Sequence, residues 1–434
     1  MPARPLRHVT SIFGVLRDRE LRAFWMSDWI SDAGSFVTFI ALAVYVNKLT
    51  GSPAAVGLAL GLRSVPWFTI GPLAGVLADR LDRRAVMVTS NLVRAGLVAL
   101  LPFTTTLWQI YMIALASAAF GPLFRSARSA LLPVVAPEQR LVPALAVMET
   151  THQVLHTVGP ALGGLVVLLV GARSAFFVDA ASFVVATLFL LGLRPRGRPA
   201  PPVERTTALG ELRSGVRGLL AVPAVRAYTL LNGALALGWG GVVALLVAYV
   251  RDDLGRPGGE YGIVLAFAGL GTVLSSLVIA ARDERHSRGP WAMASVVGLG
   301  TFLAILGRPS LPALLPIALV AGLADAGVGI PLSATLAESL PDALRGRAYS
   351  VAAAATEFAS AVGSIGFAWL GDPARLGVTH AMALSAGIGF ALAGVVLAAG
   401  GAAAIRRTEH GRLAGRRSAG VTGSRHAPEG PSSS

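Results

Sequence analysis

Long apolar stretches alternate with short polar turns along most of this chain. Each stretch holds roughly 20 residues, the length that an α-helix needs to cross the hydrocarbon core of a bilayer. The pattern predicts twelve transmembrane helices, at about 23–47, 54–78, 85–104, 107–128, 143–170, 173–193, 224–250, 260–281, 290–307, 310–336, 347–370 and 378–403. We therefore expect an all-α polytopic membrane protein.

A polar stretch at 194–222 divides the predicted helices into two sets of six. It is proline-rich at first and then carries arginines and leucines near helical spacing, which predicts an amphipathic helix on the membrane surface. A weak repeat links the two sets, because the Leu-Pro step at Leu132 after the fourth helix recurs at Leu340 after the tenth. The expected parts are a cytoplasmic segment at 1–22, a six-helix bundle at 23–193, the linker at 194–222, a second bundle at 223–404 and a disordered basic tail at 405–434.

Composition agrees with a membrane protein and gives its orientation. Hydrophobic residues make up 54% of the chain and charged residues 14%, yet the net charge is +14. Roughly 29 of the 37 basic residues fall in turns on one predicted side and about 6 on the other. This bias places both termini in the cytoplasm and the chain in the cell membrane, and it explains the charge without nucleic-acid binding.

Several chemical classes are excluded or disfavoured. The chain has no cysteine, and its one lysine, Lys48, follows no glycine-rich loop, so it cannot form a P-loop for ATP. No nucleophile elbow and no His-Glu-x-x-His motif is present. We expect no enzyme activity, no cofactor and no metal.

The segment from Gly75 to Arg84, GVLADRLDRR, ends the second predicted helix in one acid flanked by arginines. It resembles the loop between the second and third helices of the major facilitator superfamily, and its Asp-Arg-Arg ending is similar to the drug:proton antiporter branch that includes enterobactin and macrolide exporters. The resemblance implies two pseudo-symmetric six-helix bundles. It also implies a conformational latch formed by Gly75, Asp79, Arg80, Arg83 and Arg84, with Arg345 and Arg347 as candidate partners.

A second motif lies in the fifth predicted helix, where Gly159, Pro160, Gly163 and Gly164 follow one another within six residues. Proline kinks a helix, and glycine allows another helix to approach closely. The segment resembles the fifth-helix motif of facilitator-superfamily antiporters, although that pattern has a further glycine where this chain has Leu155. We predict a helix-packing motif that favours export over uptake.

Ionisable residues inside predicted helices are the remaining candidates, because their cost in a membrane makes a functional role the default hypothesis. Asp32 is a candidate proton site or a structural hydrogen-bond partner. Glu149 and His152 share one helix face with His156, so they form a proton relay or a polar lining, and a metal site is disfavoured. The candidate proton-coupling or substrate residues are Asp32, Glu149, His152, Asp325 and Glu357.

The resemblance implies a secondary active transporter. We expect proton-coupled efflux of hydrophobic or amphiphilic small molecules by alternating access, with a small-molecule substrate, protons, the bilayer and no nucleic acid as partners. We also expect a monomer. Two alternatives stay open: a proton-coupled uptake symporter for a small metabolite, and a membrane sensor or scaffold without transport.

Overall fold

The computed structural model describes residues 14–71, 74, 81–136, 138–194, 208–257, 260–281, 310–340, 342–405 and 407. Within these ranges the ordered elements are all helices. The predicted ninth span at 290–307, most of the predicted tail and the first part of the linker lie outside the described residues.

Five helices form the N-terminal half: α1 (Arg19–Thr50), α2 (Pro53–Thr69), α3 (Arg83–Leu100), α4 (Leu107–Val135) and α5 (Glu138–Leu191). The helix α5 contains both the fifth and the sixth predicted spans. It is interrupted at Gly171, whose φ of 80° is a conformation that glycine adopts without strain. The break falls between the two predicted spans.

The described residues after the first half form six more helices: α6 (Ala208–Ala221), α7 (Pro223–Ala248), α8 (Glu260–Ala281), α9 (Leu311–Ser339), α10 (Asp342–Leu370) and α11 (Val378–Val396). The short helix α6 lies inside the predicted linker. In the described residues, eight helical stretches are long and apolar enough to cross a membrane. These stretches account for most, though not all, of the twelve predicted spans.

Polar residues at the turns fix where the N-terminal helices begin. Asp18 caps α1 by accepting hydrogen bonds from the backbone N–H groups of Glu20 and Leu21 at 2.9 and 3.1 Å. Asp82 caps α3 in the same way, accepting from the N–H of Ala85 at 2.8 Å. Such caps satisfy backbone donors that a helix start leaves free.

The two halves meet along two seams, α2 against α10 and α5 against α8. Small residues allow the close approach: a Cβ atom added at Gly57 of α2 would collide with Ala368 of α10, and one added at Gly262 of α8 would collide with Gly164 of α5. We call the membrane side on which α1 ends and α2 begins the far side. Gly57, Ala368 and Gly262 all lie towards this side of their helices, so the described seams close there.

Candidate functional site

A row of polar residues follows one face of α1. Asp28, Asp32, Ser35 and Thr38 recur at intervals of three or four residues, the spacing that places side chains above one another on a helix. We call these four residues the α1 polar stripe. Its residues contact α3, α4 and α5 of the N-terminal half, whereas α2 approaches α1 next to the stripe.

The stripe begins with an ion pair between α1 and α4. Arg128 Nη1 lies 3.5 Å from Asp28 Oδ2, and both side chains are largely buried, with 16% and 12% exposed. A buried charge needs a partner of this kind, since an isolated one would be costly. Arg128 is the last residue of the predicted fourth span, and the sequence analysis did not predict this pair.

One turn further along α1, Asp32 Oδ2 lies 2.8 Å from His152 Nδ1 of α5. The structure thus brings together two of the residues predicted as candidates. The two side chains keep 32% and 15% of their surface exposed, so solvent reaches the pair. The neighbouring Trp25 Nε1 donates to Thr151 Oγ1 at 2.9 Å and fixes α1 against the same stretch of α5.

Glu149 lies on α5 three residues before His152, and its side chain is exposed. The structure describes no contact between Glu149 and Asp32. The side chain of His156, the third member of the predicted face, lies outside the described residues, as does that of Asp325 in α9. The described residues contain no group of three or more His, Asp or Glu that could hold a metal ion.

The middle of the stripe faces two arginines and a third acid. Arg94 of α3 donates from Nη2 to Ser35 Oγ at 3.0 Å, and its guanidinium stacks 4.2 Å above the ring of Phe183. Asp179 is 1% exposed, lies beside Thr38 and accepts from Ser182 Oγ at 3.2 Å. Arg63 of α2 lies over the ring of Phe39, 5.6 Å from its centroid. Neither Arg63 nor Arg94 is among the candidate site residues predicted from the sequence.

The remaining acid, Glu357 of α10, connects the two halves. Its Oε2 accepts a hydrogen bond from Ser64 Oγ of α2 at 2.9 Å. Next to this bond, the rings of Phe68 and Phe358 pack edge to face with centroids 5.3 Å apart. Glu357, a predicted candidate residue, therefore lies at a seam that opens and closes when the halves move. Ser64 itself was not predicted.

Only part of the predicted latch is described. Gly75, Asp79 and Arg80 lie outside the described residues. Arg83 donates to the carbonyl of Ala130 in α4 at 2.8 Å, and Arg84 donates to the carbonyls of Leu190 and Leu191 at 2.9 and 2.6 Å. Arginine at the last carbonyls of a helix satisfies free acceptors and complements the helix dipole. Arg345 and Arg347 lie in α10, but their side chains are outside the described part.

The glycine and proline residues of the fifth-helix motif face two different helices. A Cβ atom at Gly159 would collide with the ring of Phe36, and one at Gly163 would lie 2.7 Å from the Phe36 carbonyl oxygen, so these glycines pack on α1. On another face, a Cβ atom at Gly262 of α8 would lie 2.9 Å from the Pro160 carbonyl oxygen. The motif therefore lies between α1 of its own half and α8 of the other half.

Comparison with known proteins agrees with this architecture. Residues 10–409 match the family described as transmembrane secretion effector. The chain belongs to this family of major facilitator transporters. It is 27% identical over 359 residues to an uncharacterized MFS-type transporter, YfiS, of Bacillus subtilis strain 168, which covers 78% of this chain and 84% of that relative. It is 28% identical over 389 residues to the enterobactin exporter EntS of Shigella boydii, which covers 87% of this chain and 90% of the relative.

Solved structures share the fold at lower sequence identity. The nucleoside transporter NupG superposes with a TM-score of 0.69 at 16% identity over 87% of this transporter and 98% of its own chain. A bacterial homologue of the human lysosomal transporter Spinster, in an inward-facing and unoccupied conformation, superposes with a TM-score of 0.68 at 15% identity, covering 93% of this chain and 98% of its own. These likenesses establish an all-α, multi-pass transporter fold.

Proposed function

We propose that this transporter exports amphiphilic small molecules in exchange for protons by alternating access. The observation that carries the proposal is the Asp32–His152 pair, with its 2.8 Å contact and partial exposure. A carboxylate in contact with an imidazole is a pair of groups that can share and pass on a proton. Uptake of a proton changes the charge at the α1 polar stripe and so changes how α1 packs on α5.

The direction of transport rests on the relatives. The chain is similar along 87% of its length to proteins named enterobactin exporters, which supports efflux. The nucleoside transporter NupG and the other solved neighbours share only the fold at this level of identity, so they favour no direction. The substrate we assign is therefore a class, an amphiphilic small molecule, and not enterobactin itself.

The Ser64–Glu357 bond supplies the conformational part of the proposal. This bond and the contacts at Gly57 and Gly262 join the two halves. All three lie on the far side or near the middle of the membrane. Because we expect the basic turns of the near side to lie in the cytoplasm, a far-side closure corresponds to an inward-facing form. In that form substrate enters from the cytoplasm, and the seams must open for its release.

The test uses inverted membrane vesicles, in which export appears as uptake. Three fluorescent amphiphiles, one anionic, one neutral and one cationic, are supplied with an imposed proton gradient, with and without a protonophore. We expect uptake of at least one dye that collapses with the gradient. We also expect Asp32→Asn to abolish this uptake, while the matched control Asp252→Asn, at an exposed position after α7, keeps it.

Two results would contradict the proposal. Dye uptake that is unchanged by the protonophore would show that transport is not coupled to protons. Gradient-driven dye movement in the opposite direction would favour the uptake symporter. If no dye moves in wild-type vesicles that retain folded protein, a sensor or scaffold becomes the better hypothesis.

A further inference from the structure

Arg63 lies inside α2 of the N-terminal half and is only partly exposed. Its Nη1 atom is buried and has no hydrogen-bond partner among the described residues, and its side chain makes no described hydrogen bond or salt bridge. Its one close contact is the ring of Phe39. A buried donor of a charged group that has no acceptor is unfavourable. A partner is therefore needed during the working cycle.

Arg94 lies next to it. Arg94 contacts α1 at Ser35 and Arg63 contacts α1 at Phe39, one helical turn apart, and the two guanidinium groups are within electrostatic range of each other. Among the described residues, neither guanidinium has a carboxylate oxygen within 4.0 Å. Two positive charges thus lie together in the bundle without a salt bridge.

The nearby acids are occupied elsewhere. Asp179 accepts from Ser182 and is pressed against Gly34, where an added Cβ atom would collide with both residues. Asp32 lies against His152 at 2.8 Å. These carboxylates balance part of the arginine charge at a distance, but neither of them provides the paired oxygens that a guanidinium binds best.

The site is also accessible. The side chain of Arg63 as a whole is half-buried, and the next residue, Ser64, makes the hydrogen bond to Glu357 of the other half. Arg63 therefore lies beside the α2–α10 seam, where the two halves of such transporters enclose the substrate. The ring of Phe39 offers an apolar surface at the same place.

We propose that Arg63, assisted by Arg94, binds an anionic group of the substrate, such as a carboxylate, sulfonate or phosphate, while Phe39 contacts its apolar part. This inference rests on the proposed function and narrows it, because it assigns the substrate to the amphiphilic anions. An anion would also be driven out of a cell by an inside-negative membrane potential.

The test compares three probes that share one aromatic body and differ in charge: 9-anthracenecarboxylate, its neutral carboxamide and the cationic 9-(aminomethyl)anthracene. Binding is measured by equilibrium dialysis of the full chain in nanodiscs, with empty nanodiscs subtracted. We expect wild type to bind the carboxylate at least about tenfold more tightly than the carboxamide, as a charge-assisted bond would give. The cation should bind most weakly.

Variants then assign the preference to this site. Arg63→Gln should lose the preference for the carboxylate while its affinity for the carboxamide stays the same, and Arg63→Lys should keep part of it. The matched control is Arg173→Gln, since Arg173 also lies over an aromatic ring, that of Tyr45, at an exposed position of the same half. The control should behave like wild type.

Three outcomes would overturn the inference: no binding of the carboxylate, equal binding of the three probes, or a preference that survives Arg63→Gln in folded protein. A lower melting temperature of Arg63→Gln with an unchanged charge preference would mean that the arginine is only structural. None of these results affects proton-driven export of neutral or cationic dyes, so the proposed function is judged separately in the vesicle assay.

Discussion

The hydrogen bond between Ser64 and Glu357 allows a quantitative prediction about the conformational equilibrium. The two residues are 293 positions apart in the sequence and 2.9 Å apart in space, and they belong to different halves. With Glu357 ionised, this hydrogen bond contributes about 1.5–3 kcal/mol. Because about 1.4 kcal/mol is a tenfold change in an equilibrium constant, Ser64→Ala should shift the ratio of closed to open far-side forms by roughly 10-fold to 150-fold.

The absence of cysteine makes this equilibrium measurable. Two cysteines can be introduced for spin labels without first removing native cysteines. Leu49, at the far end of α1, and Ala374, in the turn after α10, are exposed and lie on opposite halves. Distances between labels at these two positions report whether the far side is closed.

We expect the wild-type protein to show mainly the short distance and Ser64→Ala to gain a longer one. Ser276→Ala is the matched control. The Ser276 hydroxyl donates to the carbonyl of Thr272 in its own helix at 2.7 Å, so this bond does not join the two halves. In a Glu357→Gln background the effect of Ser64→Ala should shrink, because the charged acceptor is gone. An unchanged distance distribution in Ser64→Ala would refute the reasoning.

Two further substitutions test packing and anchoring. Arg84→Gln should lower the melting temperature by removing two hydrogen bonds to the end of α5, worth about 1–3 kcal/mol together, while Arg226→Gln at an exposed position should leave it unchanged. Gly262→Ala should populate the open far side in the spin-label assay, because its Cβ atom would collide with Gly164 of the other half, whereas Gly387→Ala meets no atom within 4 Å and should have no effect.

The sequence predicted those features that depend on local rules. Hydrophobic length placed most of the helices, and the break at Gly171 falls where the fifth and sixth spans were expected to separate. The intramembrane position of Asp32 and His152 marked both as candidates, and the structure places them in contact. Each of these features depends on one residue or on a short window of residues.

Contacts between distant helices could not be predicted in this way. Ser64 is a small polar residue in a mostly apolar helix, and nothing in its sequence neighbourhood indicates Glu357 as its partner. Arg128 appeared to belong to a basic turn, yet its long side chain reaches back to Asp28. The α1 polar stripe, by contrast, has a detectable signal, since its members repeat at helical spacing.

The described residues of the basic turn, Asp82, Arg83 and Arg84, indicate which part of the turn could form a latch. Asp82 caps its own helix, and Arg83 and Arg84 bond to carbonyls of α4 and α5, so these described contacts all lie within the N-terminal half. A residue committed to contacts inside one half does not change its partners when the halves move as rigid bodies. The predicted latch between the halves therefore concerns mainly the preceding residues, with Asp79 as its acid. Substitutions of residues before Asp82 should then change the transport rate, whereas substitutions of Arg83 and Arg84 should lower the stability of the protein.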